Sequence, residues 1–126
     1  MTIINILSLL VEDHKKIEKL IEQFKQDKNN FSALNDAMIK HFREEEKLYS
    51  AYVSTTNKTL PIIQTITKEH EILANNLKQA QYSSDISEFE ALVQRHKNME
   101  ERLLYPELDK ELSENQKENA YWGMTR

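Results

Sequence analysis

Apolar residues recur at spacings of three and four along most of the chain, which is typical of amphipathic helices. We predict four of them, over about residues 3–26, 31–54, 61–82 and 86–105. The residues predicted to face inward are, helix by helix, Leu7, Leu10, His14, Ile17, Ile21 and Phe24; Leu34, Met38, His41, Glu45, Leu48 and Tyr52; Ile63, Ile66, His70, Leu73 and Leu77; and Phe89, Leu92, Val93, His96, Met99, Glu100 and Leu103.

The breaks between these stretches are short and polar, at residues 27–30, 54–58 and 83–85. Pro61 suits the first turn of the third helix, where its missing N–H costs nothing. Pro106 should kink or end the fourth helix, because an interior proline loses a hydrogen bond and clashes with the preceding turn. Short loops make successive helices antiparallel neighbours, so the predicted fold is an all-α, up-down-up-down four-helix bundle.

A short C-terminal helix is expected to follow, because Ser113 and Gln116 have the spacing of a capping box. Packing of Trp122 would close this helix onto the bundle. The chain has 126 residues, a length that suits one domain over residues 1–126. With one Gly and two Pro, it has little of the turn chemistry that a β-sandwich or barrel needs.

Composition narrows the classes of function. The formal charge of −4 gives no reason to expect nucleic acid or an anionic membrane as a partner. The apolar residues 1–11 are too few to span a bilayer, lack the basic start of a signal peptide, and are expected to form the first turns of a core helix. Absence of cysteine excludes disulfides, thiolate catalysis and cysteine-ligated iron–sulfur clusters, and it favours a cytoplasmic location.

All four histidines fall into a pattern that occurs twice. A lone histidine is followed, 27 residues later in the first half and 26 in the second, by a histidine with a glutamate four residues on. Four residues are just over one helical turn, so each His/Glu pair points the same way. The first set is His14, His41 and Glu45, and the second set is His70, His96 and Glu100. When the two halves of the sequence are aligned on these sets, three pairs of apolar residues also coincide: Ile17 with Leu73, Ile21 with Leu77 and Leu48 with Leu103.

One histidine on an apolar helix face is most often an ordinary core residue, and one His/Glu pair is weak support for a metal site. The whole set is more informative, because every helix carries one histidine within its apolar stripe. Two inward carboxylates beside four imidazoles are costly to bury unless cations lie among them. Imidazole and carboxylate suit iron, manganese, zinc or copper, and the lack of thiolate argues against a structural zinc site.

The segments that carry this pattern resemble the hemerythrin-like, or HHE cation-binding, family from about Leu7 to Leu108. The similar segments are Asp13-His-Lys-Lys-Ile17, His41-Phe-Arg-Glu-Glu-Glu-Lys-Leu48, Glu69-His-Glu-Ile-Leu73 and His96-Lys-Asn-Met-Glu-Glu-Arg-Leu-Leu-Tyr-Pro106. The resemblance implies a non-haem di-iron centre inside a four-helix bundle. It implies that His14 and His41 bind one iron and that His70 and His96 bind the other. Glu45 and Glu100 would bridge the two irons beside an oxo or hydroxo group, and other divalent metals could load in vitro.

The chain departs from the oxygen-carrying members of that family at Ala74, where those proteins have a fifth histidine. Neither iron would then be saturated by protein ligands, which leaves positions for water, O₂, NO or peroxide. The resulting expectation is a protein that binds O₂ or NO for sensing, storage or scavenging. Two alternatives stay open at this point: a di-iron enzyme or iron donor, acting in peroxide or NO reduction or in repair of damaged iron–sulfur centres, and a structural or partner-binding helical domain.

Other carboxylates near the pattern have less direct interpretations. Glu101 could replace Glu100 as a bridge, but at five residues from His96 it lies about 140° round the helix, so Glu100 is favoured. Glu18 is interpreted as a surface carboxylate at the edge of the stripe, with a role as an extra ligand or acceptor as the alternative. Asp13 and Glu69 each precede a lone histidine and are expected to face solvent, because adjacent helical residues point about 100° apart. A role in tuning the site is the alternative.

Three tyrosines and two further glutamates complete the candidates. Tyr49, Tyr52 and Tyr105 are predicted to be ordinary packing residues, with a hydrogen bond to a bound ligand or a ligating imidazole as the alternative. Glu44 and Glu46 flank Glu45 and are predicted to form a solvated face. Metal-bound imidazoles usually donate their second N–H to an acceptor, which the sequence does not identify.

Overall fold

The computed structural model of the protein describes residues 6–58, 60–83 and 86–125, and every regular element in these ranges is helical. Helix α1 spans Ile6–Gln26, α2 spans Phe31–Thr56, α3 spans Pro61–Ala80, and α4 spans Ser87–Met99. Helix α4 leads into a π-helical turn, Glu100–Leu104, and this turn leads into α5, Tyr105–Glu111. Helix α6 spans Glu114–Thr125 and lies against α2. The predicted all-α class is confirmed, whereas the predicted start at Ile3 and the side chain of Leu7 lie outside the described residues.

The helix ends follow from local chemistry. Asn57 ends α2 in the left-handed conformation, with φ of 57°, and its N–H donates to the carbonyl of Val53. Pro61 opens α3, as predicted. The capping box before α6 is confirmed in both directions: the Ser113 N–H donates to Oε1 of Gln116 at 2.7 Å, and the Gln116 N–H donates to Oγ of Ser113 at 3.2 Å.

Two apolar clusters fill the bundle. The first contains Leu10, Leu48, Tyr49, Tyr52, Ile63, Ile66, Leu104, Tyr105, Leu108 and Leu112. The second contains Ile17, Ile21, Phe24, Leu34, Met38, Phe42, Leu73, Leu77, Ala80, Ile86 and Phe89. On each of the four main helices, with α4 taken together with the π-helical turn that follows it, the inward histidine lies between a residue of one cluster and a residue of the other. The histidines therefore form a polar layer between two apolar layers.

The order of the clusters along the chain gives the topology. Helix α1 runs from the first cluster, at Leu10, to the second, at Ile17, and α2 runs back from Met38 to Leu48. Helix α3 repeats the first direction and α4 the second. The bundle is therefore up-down-up-down, as predicted. No helix in the described ranges combines the length and apolar content that crossing a bilayer requires.

The predicted break of the fourth helix near Pro106 is present, since α4 ends at Met99 and Pro106 lies in the first turn of α5. Between the two helices the chain widens into the π-helical turn, in which the Tyr105 N–H donates to the carbonyl of Glu100, five residues earlier. The extra residue in this turn rotates everything after it. Leu103, predicted inward, is 62% exposed, while Leu104, Tyr105 and Leu108 are buried. The pairing of Leu48 with Leu103 is therefore wrong, and Leu104 takes the inward position.

Candidate metal centre

The six side chains predicted as metal ligands converge at the middle of the bundle, and all are buried: His14, His41, Glu45, His70, His96 and Glu100. Each imidazole directs Nε2 inward. Oε1 of Glu45 lies 3.0 Å from Nε2 of His41 and 3.4 Å from that of His70. Oε1 of Glu100 lies 3.2 Å from Nε2 of both His14 and His96. Each carboxylate therefore faces one histidine from each half of the sequence.

The ligand atoms form two overlapping groups, each with its atoms within 4.8 Å of one another. One group comprises His14, His41, Glu45 and Glu100, and the other comprises Glu45, His70, His96 and Glu100. Both carboxylates belong to both groups. This arrangement can hold two cations that share the two carboxylates between them.

Hydrogen bonding within the described chain leaves the centre of this cluster unsatisfied. Nε2 of His41, His70 and His96 and Oε1 of both glutamates have no hydrogen-bond partner. Buried polar atoms without partners are costly and rare. A neutral imidazole that carries its proton on Nδ1 has only a lone pair at Nε2, and that lone pair would face the lone pairs of a carboxylate oxygen. A metal cation satisfies both, so the residues present fit a metal centre.

The electrostatics also favour positive charge here. Burial opposes protonation of His41, but the charge of Glu45 and the hydrogen bond to Asp13 outweigh it and raise the pKa of His41 to about 10. Burial likewise opposes ionisation of Glu45, yet the positive charges of His41 and His70 outweigh it and hold the pKa of Glu45 well below the usual range. Burial lowers the pKa of His14 and of His96. The cluster therefore favours a cation beside Glu45.

A second set of carboxylates contacts the outer nitrogens of the imidazoles. Nδ1 of His14 donates to Glu101 at 2.7 Å, and Nδ1 of His96 donates to Glu69 at 2.8 Å. Because a carboxylate can only accept, Nδ1 carries the proton and Nε2 is left free for a metal. The corresponding contacts are 3.3 Å from Nδ1 of His41 to Asp13 and 3.5 Å from Nδ1 of His70 to Glu46; only the first is a hydrogen bond.

These contacts correct several sequence predictions. Asp13 and Glu69 were expected to face solvent, but each lies against the imidazole of the next helix in the chain. Glu46, expected on a solvated face, contacts His70 while remaining 47% exposed. Glu101, the less favoured candidate for a bridge, contacts the outer nitrogen of His14 and is partly exposed. The missed signal was the repetition itself: an acid precedes each lone histidine, and another follows each paired histidine by five residues.

The neighbours of the outer carboxylates differ between the two halves of the sequence. Glu69 also accepts a hydrogen bond from Nη2 of Arg95 at 3.1 Å. Asp13 instead lies beside Glu44, which is half-buried rather than fully solvated as predicted. Burial and the hydrogen bond to Asp13 raise the pKa of Glu44 to about 7. The His41 side of the centre is therefore richer in acid than the His96 side.

Two of the three tyrosines bind the inner carboxylates, which corrects the prediction of ordinary packing. The Tyr49 hydroxyl lies 2.8 Å from Oε2 of Glu45 and 2.8 Å from Oε2 of Glu100. The Tyr105 hydroxyl donates to Oε2 of Glu45 at 2.7 Å. Burial and then the charge of Glu45 raise the pKa of both phenols well above the usual value, so they remain donors. Tyr52 is a packing residue, as predicted, and its hydroxyl has no partner among the described residues.

A small cavity adjoins the centre on the side of the second apolar cluster. It holds about 20 Å³ of free space and is lined by His14, His41, His96, Phe42, Met38 and Leu73, among others. That volume is enough for one molecule of about the size of water. Glu18 reaches its edge and forms an ion pair with Lys97, which agrees with its interpretation as a surface carboxylate. Ala74, on α3 one turn beyond His70, is half-buried.

Comparison with known protein families gives a match over most of the chain. The family model described as Hemerythrin HHE cation binding domain matches residues 5–108, which contain all six inner residues and all four outer carboxylates. No curated protein and no solved structure gives a significant match.

Proposed function

Because the chain belongs to the hemerythrin HHE cation-binding family, we propose that it is a non-haem di-iron protein that binds a small diatomic ligand, O₂ or NO. The ligand would be bound for sensing, storage or scavenging. The observation that carries the proposal is the sharing of both inner carboxylates by two groups of histidines. We also propose a cytoplasmic location, since a chain without cysteine suits a reducing compartment.

The assignment of ligands follows the two groups. We propose that His14 and His41 hold one iron and that His70 and His96 hold the other. Glu45 and Glu100 would contact both ions, because Oε1 of each already faces an imidazole from each group. The Tyr49 and Tyr105 hydroxyls hold Oε2 of these carboxylates and thereby fix the direction in which Oε1 points.

The donor atoms support iron over softer or harder metals. Four imidazoles and two carboxylates suit a first-row transition metal, and thiolates, which select zinc or copper(I), are missing from the chain. The carboxylates at Nδ1 make the imidazoles more basic and so favour a highly charged ion. Manganese, zinc and other divalent metals remain competitors in vitro.

The surroundings of the centre support a small ligand. Two irons at this centre would supply electrons and a free coordination position for a diatomic molecule. Ala74 contributes no donor where a histidine would add one, and Met38, Phe42 and Leu73 keep the wall of the cavity apolar. The cavity has room for one small molecule, which favours ligand binding over a reaction with a larger second substrate.

The test begins with metal analysis and an ultraviolet–visible spectrum of protein purified without chelator. Two irons per chain and near-ultraviolet charge-transfer bands are expected. Stopped-flow mixing of the reduced protein with O₂ or NO should then give a lasting adduct. Rapid turnover, or recovery of a damaged iron–sulfur enzyme on addition of the loaded protein, would favour the alternative of an enzyme or iron donor. A colourless, iron-free protein would contradict both.

Ala74→His provides a second test of the same proposal. A histidine one turn beyond His70 should occupy the position left to exogenous ligands, so azide should bind the oxidised protein more slowly. Serine at the same position is the matched control, because it changes polarity without adding an imidazole. Equal azide rates in all three proteins would place the free position elsewhere.

A further inference from the structure

The cavity beside the metal centre has a mostly buried lining, and its partly exposed lining residues lie on two helices. Seven of its ten lining residues are buried: His14, Ile17, Met38, His41, Phe42, Leu73 and His96. The other three are Glu18, Val93 and Lys97, which lie on α1 and α4. A small molecule that reaches the cavity past these three residues must pass between these two helices.

An ion pair between charged side chains spans the space between α1 and α4 next to the cavity. Nζ of Lys97 forms an ion pair with Oε1 of Glu18, and the two side chains are 23% and 43% exposed. Glu18 lies one turn after His14 on α1, and Lys97 follows His96 on α4. The pair therefore bridges the helices directly above two of the proposed ligands.

We propose that the Glu18–Lys97 ion pair is the gate through which small ligands reach the metal centre, and that its two charges set the preference between neutral and anionic ligands. The inference rests on the proposed function, since it assumes that ligands bind at the centre. An ion pair this exposed is weak and opens readily, so it can limit passage without blocking it. When it opens, Lys97 attracts an anion and Glu18 repels it.

The experiment compares Lys97→Met and Glu18→Gln with the wild type, all loaded with iron. NO is the neutral probe for the reduced protein, and azide is the anionic probe for the oxidised protein. Either substitution should raise both the binding and the release rate of NO about two- to fivefold, as loss of a weak ion pair allows, and leave the Kd for NO unchanged. Azide should bind faster to Glu18→Gln than to Lys97→Met, because only the latter keeps a carboxylate at the gate.

A matched control lies on the same two helices. Lys25 of α1 pairs with Glu90 of α4 at 3.2 Å, with comparable exposure, and neither residue lines the cavity. Lys25→Met and Glu90→Gln should leave both NO rates at the wild-type value. Wild-type rates in Lys97→Met and Glu18→Gln, or equal acceleration in the control variants, would overturn the gate.

A readout without iron separates failure of the gate from failure of the proposed function. Dissolved O₂ is paramagnetic, and in zinc-loaded protein it should broaden the methyl signals of Ile17 and Leu73 more than those of Leu48 and Ile66 in the first cluster. Equal broadening would show that the cavity does not admit diatomic molecules and would overturn the inference. If the methyl signals behave as expected but iron-loaded protein binds neither NO nor azide, the proposed function fails and the inference with it.

Discussion

The hydroxyl of Tyr105 donates a hydrogen bond of 2.7 Å to Oε2 of Glu45, although the two residues are 60 positions apart. The π-helical turn before Tyr105 makes this contact possible. In a regular α-helix, Tyr105 would lie about 140° round from Glu100 and point away from the centre. Wider turns of this kind are often found at functional sites.

Tyr105→Phe should weaken metal binding, because it removes a donor that fixes the orientation of Glu45. Loss of such an outer contact typically lowers metal affinity about 10- to 100-fold. The measurement is the rate at which a chelator removes iron from the loaded protein. Tyr52→Phe is the control, since the buried Tyr52 hydroxyl has no partner in the described chain. If both variants lose iron at the wild-type rate, Tyr105 has only a packing role.

The sequence predicted which six side chains meet inside the bundle better than it predicted their surroundings, for a physical reason. His41 and Glu45 lie on one face of one helix, so their relationship follows from helical geometry alone. Asp13 contacts a histidine of the neighbouring helix, and its position on α1 does not reveal that contact. Leu103 was misplaced because a spacing of three and four assumes a regular helix, and the π-helical turn adds a residue.

Glu45→Gln should lower the iron content by more than one ion per chain, because Glu45 belongs to both groups of ligand atoms. The amide keeps the shape of the side chain but loses the negative charge that offsets two cations. Metal analysis after purification gives the stoichiometry, with Glu12→Gln, an exposed acid on α1, as the control. Two irons per chain in Glu45→Gln would refute the shared carboxylate.

Two of the outer carboxylates should differ in their effect on metal affinity. Glu69 is buried and accepts a hydrogen bond of 2.8 Å from His96, so Glu69→Gln should lower affinity about 10-fold or more. Glu46 lies 3.5 Å from His70 and is 47% exposed, so Glu46→Gln should change affinity little. Competition with a chelator of known affinity measures the metal affinity of both variants. The glutamine amide oxygen can still accept from His96, so both substitutions test the loss of a charge. Equal losses would mean that the direct hydrogen bond gives the charge of Glu69 no advantage over that of Glu46.

The π-helical turn can be tested through stability, because it exchanges the environments of two adjacent leucines. Leu104 is fully buried, in the first apolar cluster, whereas Leu103 is 62% exposed. Leu104→Ala should lower the free energy of unfolding by about 2–5 kcal/mol, since it removes buried surface and leaves a cavity. Leu103→Ala should change it by no more than about 0.5 kcal/mol, as expected for an exposed side chain. Denaturant unfolding followed by circular dichroism measures the free energy of unfolding of both variants, which must have the same iron content. In a regular α-helix the larger loss would fall on Leu103, so a reversed order would exclude the π-helical turn and with it the position of Tyr105.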